Sequence, residues 1–357
     1  MANKSQFPVV DSHIHLFPES HLPSLAWYNP SEPGPLGTSY SVEQYKTASK
    51  ASSAQVRGFI FLETDRLSSV NETGKHGWTH ALDEVSFLSR IARGTPLSSE
   101  GHTPNDKSLV LGIVPWAPVP GGPEVLEKYM GLVRERAGND EVWRRVCGVR
   151  YLVQDKEPRT MLQTPFLEGL KWLGRQGLSF DLGVDARQGG IWQLEEAVEM
   201  LRQVYESADD RSSVRIVINH LCKPNLRLQP ESTTTHPDFL NWKSHVTAMS
   251  QYKKTYMKLS GAFSELPPLP SETEPDIPSL IDALQPWTDV VFDTFGAERV
   301  MFGSDWPVCN VGGGGNEVTW GRWRVVVEGI LERRELSDDQ KRGVWGGVAL
   351  EAYGATI

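Results

Sequence analysis

The stretch Val9-Val-Asp-Ser-His-Ile-His15 determines how the rest of the chain is interpreted. Its β-branched start and its alternating polar positions are typical of a β-strand. Side chains two residues apart point to the same face of a strand, so Asp11, His13 and His15 are expected on one face. Two imidazoles at a strand end can share a metal ion, bind a carbonyl or anionic group, or form hydrogen bonds within a core. The stretch alone leaves these roles open.

Short apolar runs recur along the chain, and each is followed by an amphipathic segment. The run at 56–64 is apolar almost throughout, which is typical of a parallel sheet covered on both faces. The predicted strands are residues 9–15, 56–64, 109–115, 146–151, 179–184, 215–219, 255–259 and 299–303. The predicted helices between them are residues 41–53, 79–92, 124–137, 163–175, 192–207, 239–252 and 281–295. This alternation predicts an α/β fold, a (β/α)8 TIM barrel.

The remaining segments are expected to be additions to that barrel. The Pro-rich stretch 266–278 and the Gly run 312–315 predict loop insertions at the C-terminal rim, and residues 317–333 and 337–353 predict extra C-terminal helices. Barrels of this kind routinely use such a length as one unit. We therefore expect residues 1–357 to form a single domain.

Composition excludes several classes of protein. The net charge of -9 without a Lys/Arg-rich stripe argues against nucleic-acid binding, and no apolar run reaches the roughly 18 residues of a membrane span. Cys147, Cys222 and Cys309 lack C-x-x-C spacing, and residues 1–7 lack the apolar core of a secretory signal. A cytoplasmic enzyme acting on a small molecule is expected. The 12 tryptophans and a Pro-rich loop are compatible with a homodimer.

Polar side chains follow the predicted strands at their carboxyl ends, where barrel enzymes carry their chemistry. These residues are His13, His15, Glu63, Arg150, Asp181, Asp185, His220, Ser260 and Asp305. Three histidines, an arginine and an aspartate at one rim predict a catalytic site there.

Four motifs in this set resemble a known family. They are Asp-x-His-x-His at 11–15, Asn-His-Leu-x-Lys-Pro at 219–224, Lys-Leu-Ser-Gly at 258–261 and Phe-Gly-Ser-Asp-Trp-Pro at 302–307. Together they resemble the amidohydrolase superfamily, and within it the branch of sugar-acid and pyrone lactonases. The resemblance extends over nearly the whole chain.

The resemblance implies a hydrolase that acts on a carboxylic ester bond and opens a lactone of a sugar acid or a related carboxylated ring. Asp305 would be the general base on the attacking water, and His13, His15 and His220 would surround the scissile carbonyl. Nearby donor or positive groups favour an ionised aspartate, as a base requires. Two alternatives remain: a metal-dependent non-oxidative decarboxylase of aromatic acids on the same fold, and a non-catalytic ligand-binding barrel.

Substrate binding is assigned to Arg150, Trp27, Glu63 and Trp306. Arg150 would hold a carboxylate or hydroxyl oxygen, and the tryptophans would form apolar walls. For Glu63, orienting a histidine is a second role considered. Lys258 either points into the barrel or extends into solvent.

The fourth and fifth strands lack the ligands that metal-dependent members of the resembled superfamily take from them, so a binuclear site is not expected. The resembled branch includes lactonases that work without a metal, and an activated ester needs less electrophilic help than an amide, so no resident metal is expected. A single divalent ion such as zinc, held by His13, His15 and Asp305, is the alternative, because three protein ligands and a water suffice for catalytic zinc.

Overall fold

The computed structural model describes residues 7–50, 56–72, 77–206 and 212–356. All eight predicted strands are present and parallel. They are β1 (Val9–Ile14), β2 (Val56–Leu62), β3 (Val110–Val114), β4 (Gly148–Arg150), β5 (Ser179–Leu182), β6 (Arg215–Ile218), β7 (Thr255–Leu259) and β8 (Val300–Phe302). The predicted helix ends at 51–53 and 207, and residues 1–6 of the predicted N-terminal segment, lie outside the described residues.

Helices follow the strands and cover the outside of the sheet. They are α1 (Val42–Lys50), α2 (Thr79–Arg93), α3 (Gly122–Ala137), α4 (Asp140–Trp143), α5 (Thr164–Arg175), α6 (Trp192–Tyr205), α7 (Pro237–Ser250), α8 (Ala262–Glu265), α9 (Ile277–Phe295), α10 (Asn310–Gly313), α11 (Thr319–Arg333), α12 (Asp338–Arg342) and α13 (Val348–Tyr353). Within the described ranges, no helix is both long and apolar enough to cross a membrane. The three cysteines are free and buried.

Backbone pairing closes the strands into a barrel. Strands β1–β3 and β4–β8 form two hydrogen-bonded groups. A parallel bridge between Ile113 and Val146 joins β3 to the start of β4. At the other seam, the Asp305 amide donates to the His13 carbonyl oxygen at 2.9 Å. The predicted (β/α)8 topology is confirmed, and its β8–β1 seam lies at the predicted catalytic residues.

The end of the chain enters the barrel core. Residues 337–353 do not form the single predicted helix, because a π-helical turn, Gly343–Gly347, separates α12 from α13. Gly346 has a φ of 177°, outside the helical region, and a Cβ there would lie 3.0 Å from the Val10 side chain. This close approach lets α13 pack its buried face against the inward-pointing side chains of the strands.

The prediction that Asp11 shares a face with His13 and His15 is wrong. The register between β1 and β2 shifts between Asp11 and Ile14, as at a β-bulge, and a bulge breaks the two-residue alternation of side chains. The two histidines point into the barrel, whereas Asp11 points towards the surrounding helices.

Asp11 holds the seam from the outside. Its carboxylate accepts hydrogen bonds from the Ser304 amide at 2.8 Å, the Trp320 indole at 2.8 Å and the Tyr45 hydroxyl at 3.1 Å. These donors come from the β8 end, α11 and α1, so one fully buried carboxylate joins three elements to β1.

Replacing this carboxylate should destabilise the fold. In Asp11→Asn an amide NH2 replaces one carboxylate oxygen, so buried donors lose their acceptor. We expect the free energy of unfolding to fall by about 2 kcal/mol as a result. Urea unfolding followed by tryptophan fluorescence measures the change. The control is Asp339→Asn, whose side chain is 92% exposed. Equal unfolding midpoints for the two variants would contradict this role.

Candidate active site

Three histidines surround one carboxylate oxygen at the carboxyl end of the barrel. Asp305 Oδ1 lies 3.5 Å from His13 Nε2 and 3.7 Å from both His15 Nε2 and His220 Nε2. The four side chains come from the ends of β1, β6 and β8 and are buried. The structure therefore brings together the residues that the sequence assigned to catalysis.

A cavity of about 390 Å³ opens onto this cluster. Asp305, His15, His220, Arg150 and Trp27 are in its wall, whereas His13 lies behind it. The other lining residues are Phe17, Leu36, Thr64, Asp65, Leu152, Gln154, Gly183, Asp185, Gln188, Asn219, Lys223, Ser264, Glu265 and Val308. Sequence reasoning missed most of these, because they follow the strands in irregular loops.

Glu63 and Trp306 are fully buried and do not line the cavity, so the structure does not support the direct contact with substrate predicted for them. The Trp306 ring is fully buried, and its Nε1 donates to Asn316 Oδ1 at 2.7 Å. The Glu63 carboxylate accepts from Arg150 Nε at 2.6 Å. Its backbone oxygen lies 3.0 Å from His15 Nδ1, which agrees with the other role considered, orienting a histidine.

The backbone is strained where two of these side chains emerge. His220 has a φ of 54° and is followed by three further non-glycine residues with positive φ, and Asp305 has a φ of 60°. Such left-handed conformations cost about 1–2 kcal/mol each for non-glycine residues. Gly261, with a φ of 68°, accommodates the His220 ring, because a Cβ there would lie 2.6 Å from His220 Cγ. Left-handed turns after β6 and β8 thus orient the His220 and Asp305 side chains towards each other.

Lys258 points into the barrel, which settles the two alternatives left by the sequence. Its Nζ lies 2.8 Å from Asp181 Oδ2 and 3.0 Å from His13 Nδ1, and neither Lys258 nor Asp181 is accessible to solvent. Asp181 also accepts hydrogen bonds from the Asn219 amide and from the Tyr353 hydroxyl of α13. A closed polar network therefore lies directly beneath the histidines.

Burial and charge set the protonation of the cluster. Burial lowers the pKa of His13 well below its usual value, and the Lys258 cation adds to this shift. Burial lowers the pKa of His220 to about 3 despite the neighbouring Asp305. Burial alone would raise the pKa of Asp305, but His220 and His15 outweigh it and leave that pKa below its ordinary value. At neutral pH the site therefore contains an aspartate anion beside neutral His13 and His220 rings.

The polar network of Lys258 and Asp181 beneath the histidines keeps its charges although it is buried away from water. Burial lowers the pKa of Lys258 to about 8, although Asp181 counteracts it. Burial raises the pKa of Asp181, but Lys258 and Arg150 lower it below its ordinary value. Both residues are thus ionised at neutral pH.

The described residues contain one group with the composition of a divalent metal site. Ligand atoms of His13, His220 and Asp305 all lie within 4.8 Å of one another. This group includes His220 where the sequence alternative had His15. Imidazole and carboxylate ligands are those that zinc commonly takes.

The fold and the site define the class of protein. The chain belongs to the amidohydrolase family, whose sequence model matches residues 121–355. A crystal structure of an amidohydrolase from Burkholderia multivorans with bound zinc superposes with a TM-score of 0.68 at 22% identity, covering 98% of this chain and 100% of that one. At that identity the likeness bears on the fold alone.

Two relatives by sequence carry names of particular enzymes. L-rhamnono-gamma-lactonase of Scheffersomyces stipitis is 34% identical over 351 residues, which cover 98% of this chain and 99% of the relative. L-fucono-1,5-lactonase of Burkholderia multivorans is 26% identical over 273 residues, 76% of each chain.

Proposed function

We propose that this protein hydrolyses a lactone of a sugar acid to the open-chain hydroxy acid. The observation that carries the proposal is the buried Asp305 carboxylate, ringed by three imidazoles at the wall of a cavity of small-molecule size. The two relatives are named as lactonases of this class, and one of them matches over nearly the whole chain.

Asp305 acts as the general base. A water beside its carboxylate attacks the ring carbonyl carbon while Asp305 takes the proton of that water. The tetrahedral intermediate then breaks the bond between the carbonyl carbon and the ring oxygen. Asp305 returns the proton to the departing alkoxide, so that one lactone and one water give one hydroxy acid.

His220 stabilises the oxyanion of the intermediate. Its Nδ1 lies 2.8 Å from the Ser260 hydroxyl, which can donate to it. An imidazole that accepts at Nδ1 carries its proton on Nε2, and this atom faces Asp305. A fixed N–H donor aimed at the developing charge lowers the barrier because no reorganisation is needed at the moment of reaction.

The charges of the cavity favour a neutral, hydroxylated substrate. Arg150 is paired with Glu63, and Lys223 Nζ lies 3.9 Å from Asp185 Oδ2, so both cations already have counter-charges. The wall also carries the amides of Gln154, Gln188 and Asn219, which can both donate to and accept from hydroxyls. Phe17, Trp27, Leu36, Leu152 and Val308 add an apolar side.

We propose that the reaction proceeds without a resident metal ion. Among the described residues, the group with the composition of a metal site includes His13. The Nδ1 of His13 lies 3.0 Å from the Lys258 ammonium, so these residues fit a divalent ion poorly. An activated ester such as a lactone needs less electrophilic assistance than an amide. Metal-dependent decarboxylation, the alternative reaction on this fold, would rely on that ion, and the named relatives are lactonases.

Removing the base should abolish turnover while the fold is retained. For Asp305→Asn we expect kcat on L-rhamnono-1,4-lactone to fall by about 100-fold or more, as is typical for loss of a general base. Acid release in a weakly buffered indicator assay measures the rate, and Asp140→Asn, whose side chain is 73% exposed, is the control. Full activity in Asp305→Asn would disprove the assigned base.

The pH dependence of kcat should reflect Asp305 rather than His13 or His220. Because the carboxylate is the active form and its pKa lies below the ordinary 3.8, kcat should hold as the pH falls and drop only below about pH 4. Rates measured from about pH 4 to pH 8 at saturating lactone, less the uncatalysed rate, test this.

One cavity group should titrate within that range. Burial and Glu63 raise the pKa of Asp65 to about 6, so a change of KM near that pH should vanish in Asp65→Asn. A decline of kcat around 6.5, the ordinary histidine value, that persists in Asp65→Asn would contradict the neutral state of His13 and His220.

The charge of the cavity should also select the substrate. Because Arg150 and Lys223 are already paired, 2-pyrone-4,6-dicarboxylate should have kcat/KM about 100-fold or more below that of a neutral aldonolactone, since its carboxylates would lose hydration without gaining a free cation. Parallel assays with both lactones measure the ratio. Comparable values would reject the neutral-substrate assignment.

A further inference from the structure

We propose that Lys258 is a positioning residue that fixes the proton of His13 on Nε2 and so prevents His13 from ligating a divalent metal ion. The inference concerns the protonation of the site that the proposed function uses. It rests on that function only for its catalytic consequence, since metal affinity and tautomer can be measured without a substrate.

Lys258 is a buried cation, and its ammonium group can only donate hydrogen bonds. Its partner Asp181 receives hydrogen bonds from the Asn219 amide, the Tyr353 hydroxyl and Lys258 itself. Three donors around one carboxyl group require the ionised form, and a buried carboxylate requires a counter-cation. Lys258, 2.8 Å away and fully buried, is that cation.

His13 therefore accepts a hydrogen bond from Lys258. An ammonium has three donors and no acceptor, and Lys258 Nζ lies 3.0 Å from His13 Nδ1. In a neutral imidazole one nitrogen accepts and the other carries the hydrogen. The proton of His13 is therefore on Nε2, facing His15 Nε2 at 3.1 Å and Asp305 Oδ1 at 3.5 Å.

The contacts of His15 at the other end of the hydrogen-bond chain place the His13 proton on the same atom. His15 Nδ1 lies 3.0 Å from the backbone oxygens of Leu62 and Glu63, which can only accept. His15 therefore carries its proton on Nδ1, and its Nε2 accepts from His13. The hydrogen-bond chain thus runs from Lys258 through His13 and His15 to the backbone oxygens. Because one end can only donate and the other end can only accept, every group in it donates in the same direction.

This direction conflicts with metal binding. A histidine ligand must offer a lone pair to the ion, and His13 Nε2 carries a hydrogen instead. Freeing that lone pair would require Lys258 to give up its proton or to leave the Asp181 carboxylate unpaired in the barrel interior. The group His13, His220 and Asp305 thus has the residue types of a zinc site, but His13 cannot serve as a ligand. His220 differs, because the Ser260 hydroxyl at its Nδ1 can also accept a hydrogen bond, which would free the lone pair of Nε2.

The same arrangement has a catalytic consequence. The Nε2–H of His13 faces the Asp305 carboxylate from behind the cavity wall. This N–H donates to His15 Nε2 and lies 3.5 Å from Asp305 Oδ1, so its dipole favours the ionised form of Asp305 while the side of the carboxylate that faces the cavity stays free for water and substrate. Lys258 acts on the reaction through His13 and touches neither.

The test replaces the buried Lys258–Asp181 ion pair with uncharged side chains of similar size. Lys258→Met combined with Asp181→Asn removes both buried charges at nearly unchanged volume, and such replacements of buried ion pairs are often tolerated. Zinc affinity is measured by competition with a chromophoric chelator, and cobalt binding is followed by its visible absorption. We expect the double variant to bind one zinc at least about tenfold more tightly than the wild-type protein, the scale of effects from residues that orient metal ligands.

Lys223→Met is the matched control. It also removes a cation beside the site, but Lys223 pairs with Asp185 and has no contact with His13. Zinc affinity in this variant should stay well below that of the double variant. A gain smaller than about tenfold in the double variant, or an equal gain in Lys223→Met, would overturn the proposal, because bulk charge rather than the tautomer would then govern binding.

A measurement on the wild-type protein covers the case in which the double variant does not fold. Nitrogen-15 NMR of histidine-labelled protein, with His13→Gln to assign the signal, distinguishes the two tautomers. We expect the proton of His13 on Nε2, and a proton on Nδ1 would refute the proposal. Absence of lactonase activity in the wild-type protein would refute the proposed function while leaving these two readouts unaffected.

Discussion

The pairing of the last strand with the first is the constraint on which the rest of the structure depends. The Asp305 amide donates to the His13 carbonyl oxygen at 2.9 Å, so two residues almost 300 positions apart in the chain become neighbours. Asp11 secures this seam from outside by accepting from the Ser304 amide at 2.8 Å. Without closure, Asp305 after β8 and the two histidines of β1 would lie at opposite edges of an open sheet.

Charge balance in a dry interior shapes the site as strongly as the backbone does. Arg150 is paired with Glu63, and Lys258 is paired with Asp181. Unpaired charges of this kind would cost several kcal/mol each, so every cation beneath the cavity is committed to an internal partner. Asp305 lies beside the neutral His13 and His220 rings and forms no ion pair with a lysine or arginine of the described residues, and this leaves its carboxylate available as a base.

The fold and the main cluster were predictable because both rest on local pattern. Apolar runs indicate buried strands wherever they occur, and residues directly after parallel strands share one rim. The inward position of Lys258 also had a signal, since it stands two residues before Ser260 on the same strand. The burial of Glu63 and Trp306 outside the cavity wall was not predictable, because a position near the rim does not tell which way a side chain packs. The single-domain organisation, the homodimer and the cytoplasmic location stay predictions.

Sequence by itself determined the order of strands and helices, the family and the residues proposed for catalysis, because periodicity and short motifs are properties of neighbouring residues. Only the tertiary structure decided that Asp11 turns away from His13, since a bulge in pairing with β2 reverses its direction. Only the tertiary structure also decided the protonation of His13. Its partner Lys258 lies 245 positions further along the chain, and a hydrogen bond between them exists only once the barrel has closed.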